Sequence, residues 1–150
     1  MRIYLASSWR NEYHPEVLAA LKVAGHEVYD YRNDGFMMDW PVEGANYEEM
    51  HTILMDAKSV QHFEADYDAL DWAECIVMLM PSGRSAHLEL GYGIGKSKIT
   101  VILWSERDEP DLMHLMCDLI ANEVDTVIDF LGQFTSISRD AWQRKQTLTK

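Results

Sequence analysis

Three stretches of this chain are almost wholly apolar: Arg2 to Ala6, Cys75 to Met80 and Ile99 to Trp104. A strand with one wet face alternates apolar with polar residues. These do not alternate, so both of their faces are expected to be covered, as in the central strands of a parallel sheet. His26 to Tyr31 reads as a further strand and Asp125 to Asp129 as a weaker fifth. Parallel neighbours need long crossovers, and helical patterns lie between the runs. The first has the stripe Val17, Ala20, Leu21 and Ala24, with Pro15 near its first turn and Gly25 just past its end. Others are expected over roughly Gln61 to Ala73, from near Ser85, and from about Asp111 to Ala121. The fold class that follows is α/β, a single Rossmann-like domain with a mostly parallel five-stranded sheet sandwiched by helices.

With 150 residues, 47% of them hydrophobic and 25% charged, the chain is sized for one core, so residues 1–150 are read as one domain. The net charge of −12 leaves no basic face for a run of phosphates, which argues against a nucleic acid polymer as partner. A small ligand with one phosphate stays compatible. No targeting pattern opens the chain and no apolar run approaches the roughly 18 residues of a membrane span, so a cytoplasmic protein with no membrane partner is expected. Cys75 and Cys117 sit in apolar segments and read as small buried hydrophobes. His51, His62, His87 and His114 lack ligand spacing, so no metal is assigned; His14 and His26 read as structural. The aperiodic stretch "NDGFMMDWPVEGANYE", Asn33 to Glu48, is either a lid over a pocket or a surface excursion with Trp40 tucked inward. The polar tail after Arg139 reads as frayed.

In open α/β sheets ligands bind beyond the carboxyl ends of the strands, which directs attention to "SSWR" after the first strand and "PSGRSAHLELG" after the third. Ser7, Ser8 and Arg10 offer hydroxyls and a guanidinium suited to an anionic or sugar ligand, or a surface arginine beside a helix start. Ser85 is a reasonable N-cap. Glu89 then falls in the first turns of the third helix, where the dipole favours an ionised acid. Such a glutamate is either a helix stabiliser or a site residue, and the small residues Gly83, Ser85, Ala86, Gly91 and Gly93 around it leave room for a ligand. Gly91 and Gly95 read as close helix-to-sheet packing, since "GYGIG" lacks the dinucleotide spacing. Asp66 shares a helix face with Phe63, Ala69, Leu70 and Ala73, so it either has a partner or purpose on the buried side or reaches water at the stripe's edge. Asp68 and Asp71 fall on other faces and read as solvated.

The combination "IYLASSW", "FEADYDALDWAECIVMLMPSGRSAHLELGYGIGKSKITVIL" and "EPDLM" resembles the nucleoside 2-deoxyribosyltransferase family, together with relatives that hydrolyse the N-glycosidic bond of nucleoside 5'-monophosphates. The likeness runs from Met1 to about Ala121. It implies the nucleoside deoxyribosyltransferase fold, assembly as a homodimer or larger homo-oligomer, and a nucleoside or nucleotide as small-molecule partner. By the same resemblance Glu89 of "ELG" is the nucleophile, Asp66 handles the base, Tyr4 sits beside the nucleophile, and Trp9 lines the pocket. Ser8-Trp9-Arg10 repeats the Ser-x-Arg with which the nucleotide hydrolases hold a 5'-phosphate. Two departures accompany this. The transferases' further acid, six residues before the nucleophile, is replaced by Gly83, so base recognition must differ. A polar residue that the family supplies from the neighbouring subunit falls on Asp111, and an acid there would repel a phosphate.

The chemistry implied needs two acids and no metal or organic cofactor. Ionised Glu89 attacks the anomeric carbon, Asp66 protonates or hydrogen-bonds the departing base, and another base or water resolves the glycosyl ester. The helix start is expected to keep Glu89 ionised, and the surroundings of Asp66 to raise its pKa. Three other readings stand beside this one: a dinucleotide glycohydrolase of the Toll/interleukin-receptor-like kind, a non-catalytic nucleotide-binding module, and an interaction protein.

Overall fold

The computed structural model describes residues 1–33, 44–104 and 109–134. Most of the aperiodic stretch after Asn33, with Trp40, and the tail after Arg139 lie outside the described residues. The five strands β1 (Arg2–Ser7), β2 (Glu27–Tyr29), β3 (Cys75–Leu79), β4 (Ile99–Leu103) and β5 (Leu119–Ala121) form one sheet in the order β2-β1-β3-β4-β5. Every pairing is parallel. The helices are α1 (His14–Val23), α2 (Tyr47–Leu54), α3 (Ala57–Trp72), α4 (Arg84–Gly95) and α5 (Val124–Phe134), with a 3-10 turn at Leu112–Met116.

Successive side chains of a strand point to opposite faces, and the sheet divides its core accordingly. Ile3, Leu5, Val77 and Val101 pack with Val17 and Leu21 of α1 and Val127, Phe130 and Leu131 of α5. Tyr4, Ala6, Ile76, Met78 and Ile102 face the other way, onto Ala69, Leu70 and Ala73 at α3 and Ala86 and Leu90 of α4. β3 and β4 are buried along their whole length, which is why both lack alternation.

The carboxyl-terminal part corrects the sequence reading. Asp125 to Asp129 is not the fifth strand but part of α5, because Val124, Val127, Ile128 and Leu131 share one helical stripe that closes the first core. The stretch Asp111 to Ala121 is not one helix: it holds the 3-10 turn and β5. Asp118 breaks it. Its Oδ2 accepts from the Thr100 N–H at 2.9 Å and the Thr100 hydroxyl at 3.2 Å, drawing the chain out to pair with β4. β2 is shorter than His26 to Tyr31, and α3 begins at Ala57, where the Asp56 side chain caps it. Ahead of it α2 starts in a capping box between Asn46 and Glu49, within what read as a loop. Gly25, past the end of α1, has φ +86°, the left-handed conformation a glycine adopts without strain.

Candidate active site

Tyr4 lies mid-strand in β1, in register with Tyr29 of β2 and Ile76 of β3. Its ring stacks on that of Tyr29 with centroids 5.3 Å apart and planes 21° from parallel. The Tyr29 hydroxyl donates to Oδ1 of Asp66 at 3.0 Å. Asp66 therefore has a partner on the sheet side of α3, next to buried Ala69 and Leu70, as its place on the apolar stripe allowed. Across from it, α4 carries Glu89 between buried Ala86 and Leu90.

The electrostatics join these groups. Burial, and then the charge of Asp66, push Glu89 up to about 7, while a hydrogen-bond interaction with Tyr4 partly offsets the rise. The Tyr4 phenol is driven far above its usual range by burial first and then by the charges of Glu89 and Asp66. Tyr4 is 1% exposed, and its buried hydroxyl has no hydrogen-bond partner among the described residues, though it interacts with Glu89. Tyr4, Asp66 and Glu89 thus lie close enough to perturb one another's ionisation. The expected ionisation of Glu89 by the helix start is corrected: Glu89 is the sixth residue of α4, beyond the first turn where the dipole acts, and burial governs it.

The N-cap of α4 is Gly83, not Ser85, and no side chain caps it. Ser85 is exposed in the first turn. A Cβ added at Gly83 would meet nothing within 4 Å, so the space beside the helix start is open. The packing glycine is Gly93, where a Cβ would come within 2.6 Å of Ile76 Cγ1; at Gly91 and Gly95 it would meet nothing within 4 Å.

The turn after β1 is built differently from its reading. The Ser8 hydroxyl accepts from the Arg10 N–H at 3.2 Å, a local turn bond, and the Arg10 side chain is exposed. Ser7 Oγ lies 3.1 Å from the Tyr31 hydroxyl. Half-buried Trp9 meets the Tyr31 ring edge-on at 5.3 Å. The guanidinium inside this turn belongs to Arg32, which donates to the carbonyls of Ser8 and Asn11 and lies 6.0 Å from the Trp9 ring. Buried Asn11 donates to the carbonyls of Leu79 and Pro81 at 3.3 and 3.1 Å, tying the turn after β1 to the turn after β3. No sequence signal marked Tyr29, Asn11 or Arg32, because each acts across strands that only the fold brings together.

Asp111 caps the 3-10 turn. Its Oδ1 accepts from the Met113 N–H at 2.8 Å and its own N–H donates to His114 Nδ1 at 3.3 Å. His114 is buried, with its Nε2 3.4 Å from Nε2 of His87. Among the described residues no group of three or more His, Cys, Asp or Glu side chains is placed to hold a metal ion. Nor is any helix among them long and apolar enough to cross a membrane.

Among the solved structures similar to this chain is a 2-deoxyribosyltransferase from the psychrotolerant bacterium Bacillus psychrosaccharolyticus. It superposes with a TM-score of 0.59 at 20% identity, over 85% of this chain and 90% of that one. The chain has the nucleoside deoxyribosyltransferase fold. A CMP N-glycosidase from Clostridium botulinum shares it, with a TM-score of 0.54 at 16% identity over 88% of this chain and 99% of that one. So does a conserved protein from Enterococcus faecalis, with a TM-score of 0.59 at 10% identity over 89% and 98%. No protein-family model matches the sequence, and no curated protein does. Folds host many chemistries, so on the nucleoside deoxyribosyltransferase fold the function must be argued from the side chains.

Proposed function

We propose that this protein is an enzyme that cleaves the N-glycosidic bond of a nucleoside or nucleoside 5'-monophosphate through a covalent glycosyl-Glu89 intermediate. The observation that carries this reading is the carboxyl pair: Glu89 and Asp66 sit on helices that pack on the same face of the sheet, close enough that the charge of Asp66 raises the pKa of Glu89. Below about pH 7 Glu89 holds a proton in the free site, and in this reading that proton passes to Asp66 as the substrate binds, leaving one proton on the pair. That is the count retaining glycosyl transfer requires, one carboxylate to attack and one acid to give. The Glu89 carboxylate forms a bond to the anomeric carbon as the carbon–nitrogen bond breaks. The electron pair of that bond leaves with the base, and the shared proton, delivered by Asp66, goes to the base nitrogen. Water, or a second base, then attacks the same carbon, Asp66 takes up its proton, and Glu89 leaves as carboxylate with configuration retained. Tyr4, buried against Glu89, orients it.

Trp9, Ser7, Ser8, Gly83 and Ser85 border the mouth of the site in this reading, and Arg10 reaches for a 5'-phosphate from the rim. A homodimer belongs to it as well. Leu88 of α4 and Leu112, Met113, Leu115 and Met116 of the 3-10 turn are all exposed, an apolar surface that a second copy would cover, with Asp111 at its edge.

The test is chromatography of the protein incubated with ribo- and deoxyribonucleosides and their 5'-monophosphates, with and without a second free base. Free base released from a monophosphate alone identifies a hydrolase, and Arg10→Ala should then lose monophosphates but not nucleosides. Exchange that needs the second base identifies a transferase. Turnover of none of them, or release of nicotinamide from a dinucleotide instead, overturns the proposal.

A further inference from the structure

We infer that Tyr29 is a positioning residue for Asp66, fixing one carboxyl oxygen so that the other faces the departing base. The inference rests on the glycosidase reading above, but its geometry is independent of it. Tyr29 projects from β2 onto the face where α3 packs, and its hydroxyl donates to Asp66 Oδ1 at 3.0 Å. The donor itself is held by the stack of its ring on that of Tyr4, in cross-strand register at 5.3 Å. Neighbouring strands thus carry two tyrosines side by side. Tyr4 interacts with the carboxyl of α4, and Tyr29 bonds the carboxyl of α3.

A phenol can donate to Asp66 in either protonation state. With Asp66 ionised, Tyr29 stabilises the charge. With Asp66 protonated, the carbonyl-like oxygen still accepts from Tyr29, which favours the acidic O–H on the second oxygen. The bond therefore selects which oxygen delivers the proton. Among the described residues, the titratable groups shown to act on this carboxyl include Glu89 from α4, Tyr4 from β1 and Tyr29 itself from β2. Glu27 of β2 and Asp68 of α3 border the shallow cleft on the outer side of Tyr29.

The experiment is a carbon-13 NMR titration of the Asp66 and Glu89 carboxyls in the full chain and in Tyr29→Phe, which keeps the stack and removes the donor. Loss of a donor to a carboxylate disfavours its charged form, so the midpoint of the pair should rise. In steady-state kinetics kcat should fall about tenfold with KM little changed, and the alkaline limb of the pH profile should move up with the midpoint. A midpoint that does not move overturns the inference, whatever happens to the rate, because a merely structural tyrosine would lower Tm and leave the titration alone. A shifted midpoint in a protein that releases base from no substrate keeps the positioning role and defeats the glycosidase reading. Should Tyr29→Phe fail to fold, 3-fluorotyrosine in place of Tyr29, nearly the same size and a stronger donor, should lower the midpoint; no change there overturns the inference equally.

Discussion

Glu89 is the residue on which function and stability pull in opposite directions. Its carboxyl is buried and pushed from 4.5 to about 7, so the folded chain holds its proton more tightly than the unfolded chain does. Below pH 4.5 both states are protonated and there is no penalty. Between 4.5 and 7 the unfolded state releases the proton first and stability falls; above 7 the loss levels off at about 3 kcal/mol, from about 1.36 kcal/mol per pKa unit. Glu89→Gln should accordingly abolish base release, by about a thousandfold or more, while raising Tm at pH 8 and leaving it nearly unchanged at pH 4.5. Denaturation scans at the two pH values check the second half, and a lower Tm at pH 8 would contradict it. For the wild type, kcat/KM should decline above about pH 7 as the pair loses its shared proton. A rate that climbs through pH 7 to a plateau would show that the doubly ionised pair is the active form and that Asp66 is no acid.

At the scale of elements, α4 places Glu89, and Gly93 sets how closely α4 approaches the sheet. Gly93 is buried, and an added Cβ would meet Ile76 Cγ1 at 2.6 Å and Thr100 Cγ2 at 3.3 Å, both on strands under the helix. Gly93→Ala should therefore destabilise by about 1–3 kcal/mol despite the better helix propensity of alanine, and should lower activity by displacing Glu89. Gly91→Ala, where nothing lies within 4 Å, should be neutral or stabilising by up to about 1 kcal/mol. Urea denaturation of the two variants compares them directly. The pair also shows what was legible in the sequence and what was not. "GYGIG" announces close packing, but which glycine faces the sheet depends on the rotation of α4, and the packing fell on Gly93, two residues from Gly91 and Gly95 and so on another face of the helix. Likewise β1, β3 and β4 could be read from unbroken apolar runs, because burial on both faces leaves its mark residue by residue. β5 could not. It is three residues long, half exposed, and set by the bonds of Asp118 to Thr100, a partner on another strand. The candidate site divides in the same way: Glu89 and Asp66 stand out from local patterns and Tyr4 only through the family resemblance, whereas Tyr29 enters only through its register with Tyr4.

Across the whole molecule the buried site is matched by a buried histidine on the other side of β1, and their pH dependences oppose each other. His14 opens α1, lies 3.7 Å from Asp30 and meets the Tyr31 ring edge-on at 5.6 Å. Burial, and then the nearby Arg32, lower it from 6.5 to about 4, with Asp30 opposing. The unfolded chain then binds a proton that the folded chain refuses, so His14 contributes stability that is present above pH 6.5 and lost as pH falls toward 4. Glu89 does the reverse, contributing stability below pH 4.5 that is lost by pH 7. In the shared window from 4.5 to 6.5 the two slopes have opposite sign and comparable size, so together they leave Tm nearly flat there. Each single replacement should uncover the other slope. Glu89→Gln should make Tm climb with pH across the window, and His14→Gln should make it decline. The double variant should be flat again, since the two residues lie on opposite faces of the sheet and their effects should add. Differences between variants cancel the background of ordinary carboxylates, so Tm measured at half-unit steps of pH resolves the signs. If Glu89→Gln instead made Tm fall with pH across the window relative to the wild type, the burial of that carboxyl, and with it the proton count on which the proposed reaction depends, would be wrong.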